Sequence, residues 1–222
     1  MFGLGKNKSS NDGSGFSLEI ESENLAMPEI HIKEHGVKAM NVLNADEPKN
    51  DVLDAIYSRC SVRQFTDKEI APEDIKAILK AGMSGPSAVN ARDWSFIVVT
   101  EKDMLGKMAD INGPAADPLR GAKMGMLVCG DVEKSFEKAK DYWIVDGSIA
   151  AQNMILAAKS LGIGSVWLGT WPQIERVEGQ AKLFGLPDNI KPHSIIAFGY
   201  PDAKFEQDKE LWDESLAHFN KW

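Results

Sequence analysis

Three stretches of this chain place residue types together that could hold an anionic, ring-bearing small molecule. The first is Ser58-Arg59-Cys60-Ser61-Val62-Arg63-Gln64-Phe65, two guanidinium groups around a serine hydroxyl. Guanidinium groups grip phosphate or carbonyl oxygens through paired donors, and a hydroxyl adds a short bond. A surface arginine pair at a helix C-terminus, where the dipole favours cations, would read the same way. The second is Gly85-Pro86-Ser87-Ala88-Val89-Asn90-Ala91-Arg92-Asp93-Trp94. Its small residues let backbone approach a flat ring, and Asn90 offers a donor and an acceptor to a pyrimidine-like edge. An ordinary loop uses the same residues. The third runs from Gly162 to Trp171, GIGSVWLGTW. Gly162 can cap a helix. Gly164 and Gly169 bracket a short strand whose end could aim backbone N–H groups at a ligand. A plain helix–turn–strand junction has this composition too.

Other chemistry finds less support. Neither G-x-G-x-x-G nor G-x-x-x-x-G-K-[ST] occurs, so a nucleotide would be held without either phosphate loop. His31-Ile32-Lys33-Glu34-His35 matches the H-x-x-E-H zinc pattern, but Pro28, Gly36 and the alternation of Ile30 and Ile32 argue against the helix that zinc would need. Cys60 lies between Arg59 and Arg63, which would lower a thiol pKa, yet a small packed residue at a helix end is the simpler reading. His193 reads as a strand-end histidine rather than a general base. With no G-x-S-x-G, a hydrolase lacks its nucleophile elbow.

The elements that must position these stretches follow from periodicity. DVLDAIYSR is helical, with Asn50 or Asp51 able to cap it. PEDIKAILKAGM is a helix with Pro72 in its first turn and a stripe of Ile75, Ile78, Leu79 and Met83. WSFIVVT (94–100), MLVCG (126–130), SVWLG (165–169) and SIIAFGY (194–200) read as buried strands. DGSIAAQNMILAAKSLG reads as a helix beginning at Asp146, apolar round most of its circumference and so buried on several sides. IERVEGQAKLFG (174–185) is amphipathic and ends at Gly185. The rhythm is not that of repeated βαβ units, which favours an α+β sandwich over a doubly wound parallel sheet.

The 222 residues carry a formal charge of -8, which argues against a broad nucleic-acid surface, and 43% are apolar, enough for a full core. Two cysteines form no disulfide framework and suit a cytoplasmic protein. No apolar run reaches the ~18–20 residues of a membrane helix. Residues 1–45 read as an N-terminal extension. Residues 1–15, rich in Gly, Ser, Asn and Lys, read as disordered. Residues 46–222 form the folded domain.

Taken in order, the three stretches resemble the motifs of the nitroreductase family of flavoproteins. Arg59 to Phe65 is similar to R-R-S-V-R-x-F, Pro86 to Trp94 to P-S-A-x-N-x-Q-P-W, and Gly162 to Gly169 to G-[LI]-G-[ST]-x-W-x-G. Gly199-Tyr200-Pro201 matches a further signature, and Asp213-Glu214-Ser215 with Asn220-Lys221-Trp222 is similar to the ending of short members. The resemblance covers residues ~50–222 and implies a central sheet flanked by helices, in an intertwined homodimer with two FMN sites at its interface.

Position by position, the resemblance puts Arg59 and Ser61 at the FMN phosphate and ribityl region and Arg63 at the N1/O2 edge of the ring. Pro86, Ser87, Ala88 and Asn90 would come from the partner chain or the ring edge. Trp167, Leu168 and Gly169 would lie along the isoalloxazine, with a Gly169 or Thr170 N–H facing N5. Lys209 matches a phosphate-binding basic position. The implied activity is ping-pong transfer of electrons from NADH or NADPH to a small organic acceptor, such as a nitroaromatic or a quinone, with no side chain required as acid or base. An FMN-binding carrier or sensor without turnover is the alternative. Two departures stand out: Arg92-Asp93 replaces the usual Gln-Pro, and Leu211 replaces a second basic residue, which thins the expected phosphate grip.

Overall fold

The computed structural model describes residues 49–203 and 211–222. The zinc-like pattern at His31–His35, the N-terminal extension and Lys209 lie outside the described residues. The described residues open on α1 (Asp51–Ser58), capped by Asn50, whose side-chain oxygen accepts from the Val52 and Leu53 amides at 3.1 and 3.0 Å. α2 (Pro72–Met83) starts on Pro72, whose missing N–H would be unsatisfied there in any case. β1 (Trp94–Val99), α3 (Lys102–Asn112) and a 3-10 segment (Pro114–Arg120) lead to β2 (Met124–Asp131). α4 (Tyr142–Ser160), β3 (Gly164–Gly169), α5 (Ile174–Phe184) and β4 (Ile190–Gly199) complete the domain.

The four strands form one sheet in the order β1-β2-β4-β3, every pair antiparallel. This is the α+β sandwich expected from the sequence. Strand alternation divides the core in two. Met124, Met126, Val128, Ile196 and Phe198 face α2 and α4 with Ile78, Met154 and Ile155. Leu127, Cys129, Ile195 and Ala197 face the other side with Leu105, Met108 and Leu119. Burial pushes the Cys129 thiol up to about 12, so it serves as a packed apolar group.

Two elements begin about a helical turn's worth of residues earlier than the sequence reading placed them. α4 begins at Tyr142, one turn before Asp146, because the Asp146 carboxylate caps nothing in its own helix and is turned on the Ala88 amide instead. β4 begins at Ile190, since Lys191 and Pro192 still pair with Gly130 and Cys129 across a register shift in β2. None of the helices among the described residues is long and apolar enough to cross a membrane.

Candidate functional site

The stretch after α1 runs alongside the outer edge of β3. Ser61 bridges Ser165 in parallel, and the Val62 amide donates to the Ser165 carbonyl at 2.9 Å. Further on, Phe65 bridges Pro201 and the Thr66 amide donates to the Tyr200 carbonyl at 2.8 Å. Glycines make this possible. A Cβ on Gly164 would lie 2.8 Å from Val62 Cβ, and one on Gly199 would meet the Phe65 ring at 2.8 Å. The first and third sequence motifs therefore meet. Between them opens a cleft of about 80 Å³ lined by Arg59, Cys60, Lys159 and the Gly162–Ser165 turn. Lys159, in the last turn of α4, adds a second cation that the sequence reading did not single out.

Ser87, Ala88 and Asn90 form a tight 3-10 turn ahead of β1. Val89, Asn90 and Arg92 all have positive φ, at 49°, 57° and 49°. That backbone costs roughly 1–2 kcal/mol for a residue such as valine. The turn survives because it is tied down. The Ala88 amide donates to both oxygens of Asp146 at 3.1 Å, the Arg92 amide donates to Ser87 Oγ at 2.9 Å, and Arg92 Nε donates to Asn90 Oδ1 at 3.0 Å. Pro86 and Asn90 are exposed, while Ser87 and Ala88 are half-buried.

At the far end of β3, Trp167 and Leu168 point to opposite faces. Leu168 is buried in the α3/α5 core, so it can offer a ligand only its backbone. Trp167 is half-buried and packs edge-on against His193, 5.6 Å between ring centres. Gly169 is exposed, and nothing lies within 4 Å of where its Cβ would be, which leaves room for a flat group against the backbone. Its carbonyl accepts from Arg176 Nη1 at 2.8 Å and Asn112 Nδ2 at 3.2 Å. Gln180 holds Asn112 in turn, Nε2 to Oδ1 at 3.0 Å. Sequence reasoning missed this amide relay because its members lie 57 to 68 residues apart with no local pattern.

The structure does not bring the second motif to the first. The 86–90 turn sits on Asp146 and the Arg59 cleft on Lys159, so thirteen residues of α4, ~20 Å, separate them. Across the sheet, Asn90 precedes one edge strand and Gly169 ends the other, three strand spacings or ~14 Å away. Arg63 is exposed, its Nη1 3.5 Å from the Ser61 carbonyl.

The donors fit a phosphate-bearing flavin. A guanidinium, an ammonium and a serine hydroxyl gather at the start of β3, and an open backbone lies ~17 Å further along it at Gly169. The sequence profile of the nitroreductase family matches residues 56–125 and 114–200. A protein of Methanothermobacter thermautotrophicus, provisionally named an NADH dehydrogenase/NAD(P)H nitroreductase, is 44% identical over 78% of this chain and 89% of its own length. A solved structure from Bacteroides thetaiotaomicron with the same provisional name shares 41% identity and a TM-score of 0.73, covering 79% of this chain and all of its own. Another, from Desulfovibrio desulfuricans, described as a provisional nitroreductase in complex with FMN, shares 31% identity and a TM-score of 0.65 over 79% of this chain and 99% of its own. The chain belongs to the nitroreductase family, the FMN-dependent oxidoreductases that its motifs resemble.

Proposed function

We propose that this chain is an FMN-dependent oxidoreductase that takes electrons from NADH or NADPH and passes them to a small organic acceptor in two successive half-reactions. The observation that carries this reading is the cleft where Arg59, Lys159 and the Gly162–Ser165 backbone converge at the start of β3. Arg59 and Lys159 bind the phosphate, and Ser61 donates beside them. Arg63 brings a positive charge to the ring, where it favours the reduced, anionic form. The exposed Gly169 backbone, braced by Arg176 and Asn112, borders the ring. When bound, FMN supplies hydride-accepting and hydride-donating chemistry at its N5 atom. The protein's part is to hold, orient and tune, so no side chain need move a proton.

Because one chain holds the Arg59 cleft and the Ser87–Asn90 turn ~20 Å apart, the complete site takes the turn from a second copy. Unpartnered apolar surface supports a homodimer. Val145 on α4 is 49% exposed, and Trp212, Leu216 and Trp222 near the C-terminus are 52, 78 and 98% exposed.

The test is anaerobic stopped-flow mixing of FMN-loaded protein with NADH or NADPH, followed by a quinone or a nitroaromatic. Bleaching and then recovery of the flavin colour are expected. Bound flavin that neither nicotinamide reduces would overturn the oxidoreductase reading and leave a carrier. Light scattering that finds a monomer with FMN bound would overturn the shared site.

A further inference from the structure

Asp93 and Asp146 are closed off from solvent, at 0 and 1% exposure. Asp93 is the residue before β1, Asp146 lies one turn inside α4, and their carboxyl groups are in hydrogen-bonding contact with each other. Asp146 holds the Ala88 amide with both oxygens. Neither oxygen of Asp93 takes a hydrogen bond from an ordinary donor among the described residues. Among the described residues, no compensating charge is directed at the pair. His193 on β4 turns its ring to Gly147, shares its nitrogens with the Ser148 and Ser194 hydroxyls, and is held neutral by burial, its pKa brought down to about 4. Asp131 on β2 directs its carboxylate to Asn189 and to the Glu133 and Lys134 amides. The Arg92 guanidinium is turned to Asn90 on the exposed side of the turn.

Two carboxylates in contact in a low-dielectric interior, with no cation, do not both stay ionised; one proton remains with the pair. We propose that Asp93 and Asp146 share one proton, and that the resulting O–H···O bond is the fastening that holds the Ser87–Asn90 turn in the shape from which it meets the flavin. The hydrogen bonds close a loop. Asp146 grips Ala88 at the front of the turn, and Asp93 is the residue by which the chain leaves it, its own carbonyl fixed by the Asp131 amide at 2.6 Å. Three left-handed residues lie between those two points, and among the described residues the other hydrogen bonds of the turn are internal to it. Removal of the shared proton sets two negative charges against each other at the base of this strained turn. Desolvation, together with the neighbouring Asp93, raises the pKa of Asp146 as such sharing requires, although the Ala88 amide opposes the shift. Both aspartates are positioning residues, and the functional half of the inference rests on the flavin reading of residues 86–90.

The test uses the full chain without FMN, as wild type, Asp93→Asn and Asp146→Asn, with thermal midpoints measured between about pH 4 and 9. Unfolded carboxyls release their protons near pH 3.9. The folded pair keeps one, so its contribution is complete below that pH and is lost as pH rises through the pair's raised value. Wild type should therefore lose stability relative to Asp93→Asn as pH rises. Each pH unit by which the proton is held above the ordinary range is worth about tenfold in the folding constant. His193 and Asp131 are common to both proteins and cancel. Infrared spectra at neutral pH should show a protonated-carboxyl band in wild type that both variants lack. Parallel stability curves, or no such band in wild type, would overturn the shared proton, and the band can be read even if a variant fails to fold. FMN affinity should weaken with pH in wild type relative to Asp93→Asn. A constant affinity ratio with the band present would overturn the fastening role. A protein that binds no FMN at all would sink the flavin reading and leave the first two measurements to judge the pair.

Discussion

Replacing Lys159 by methionine removes one of two cations from the cleft at the start of β3 while keeping most of the side-chain volume. Lys159 is half-buried there with Arg59, and the Gly162–Ser165 turn supplies the rest of that wall. A charge-assisted hydrogen bond in such a place is worth about 1.5–3 kcal/mol. Loss of that bond raises the FMN dissociation constant about ten- to 150-fold. Riboflavin is the control, because it carries the same ring without the phosphate. Fluorescence titration of the apoprotein should show FMN binding weakened over that range, riboflavin binding almost unchanged, and partial recovery in Lys159→Arg. Higher salt should narrow the gap between wild type and variant, since the missing interaction is a charge pair with a partly exposed anion. If FMN and riboflavin weaken together, Lys159 maintains the shape of the cleft rather than binding phosphate. If neither weakens, the cleft is not the phosphate end, and the placement of Arg59 falls with it.

Three further outcomes follow from particular contacts. Val89→Asn should raise apoprotein stability by about 0.5–1 kcal/mol, because Val89 is 71% exposed with φ of 49° and asparagine tolerates that backbone far better; an unchanged or lower melting temperature would count against strain in the turn. Gly164→Ala forces a methyl against Val62 and should displace the Arg59–Arg63 stretch at a cost of about 1–3 kcal/mol, seen as weaker FMN binding by a protein whose circular dichroism is unchanged. Burial, opposed only by a hydrogen bond to the Ile144 backbone, brings His193 down to about 4. Its unfolded form takes up a proton below about pH 6.5 while the folded form does not, so stability should drop by up to about 3 kcal/mol between pH 6.5 and 4. His193→Gln should flatten that slope, and parallel acid profiles would refute it.

What could be read in the sequence was whatever repeats at short range. α2 and α5 announce themselves by an apolar stripe and a stop, Pro72 at one start and Gly185, in the left-handed conformation, at the other end. The four strands show as β-branched and aromatic runs. α3 escaped notice because Gly106 and four charged residues break its pattern, even though Leu105, Met108 and Ala109 are fully buried. Asp146 was misread as a helix start for a related reason. Aspartate at a helix start is so often a cap that its actual partner, an amide 58 residues away, has no local signature.

The same limit explains why the motifs pointed to a site that one chain does not close. Each motif is a local device: a cation pair, a turn of small residues, a glycine-bounded strand. Local pattern says what each can touch but not which others it will face. That is decided by α4, whose two ends carry the turn and the cleft, and by a sheet with Trp94 and Gly169 on opposite edges. Neither separation can be bridged by side-chain movement, because an arginine reaches only a fraction of ~20 Å. If Arg59 and Asn90 act on one ligand, they do so from two chains. A two-fold dimer satisfies this twice at once, since the surface that lends the turn also receives one. Mixing inactive Arg59→Ala chains with inactive Asn90→Ala chains should then restore one intact site in each mixed dimer. Recovery of FMN binding on mixing would support the shared site, and its absence in dimers shown to have exchanged chains would refute it.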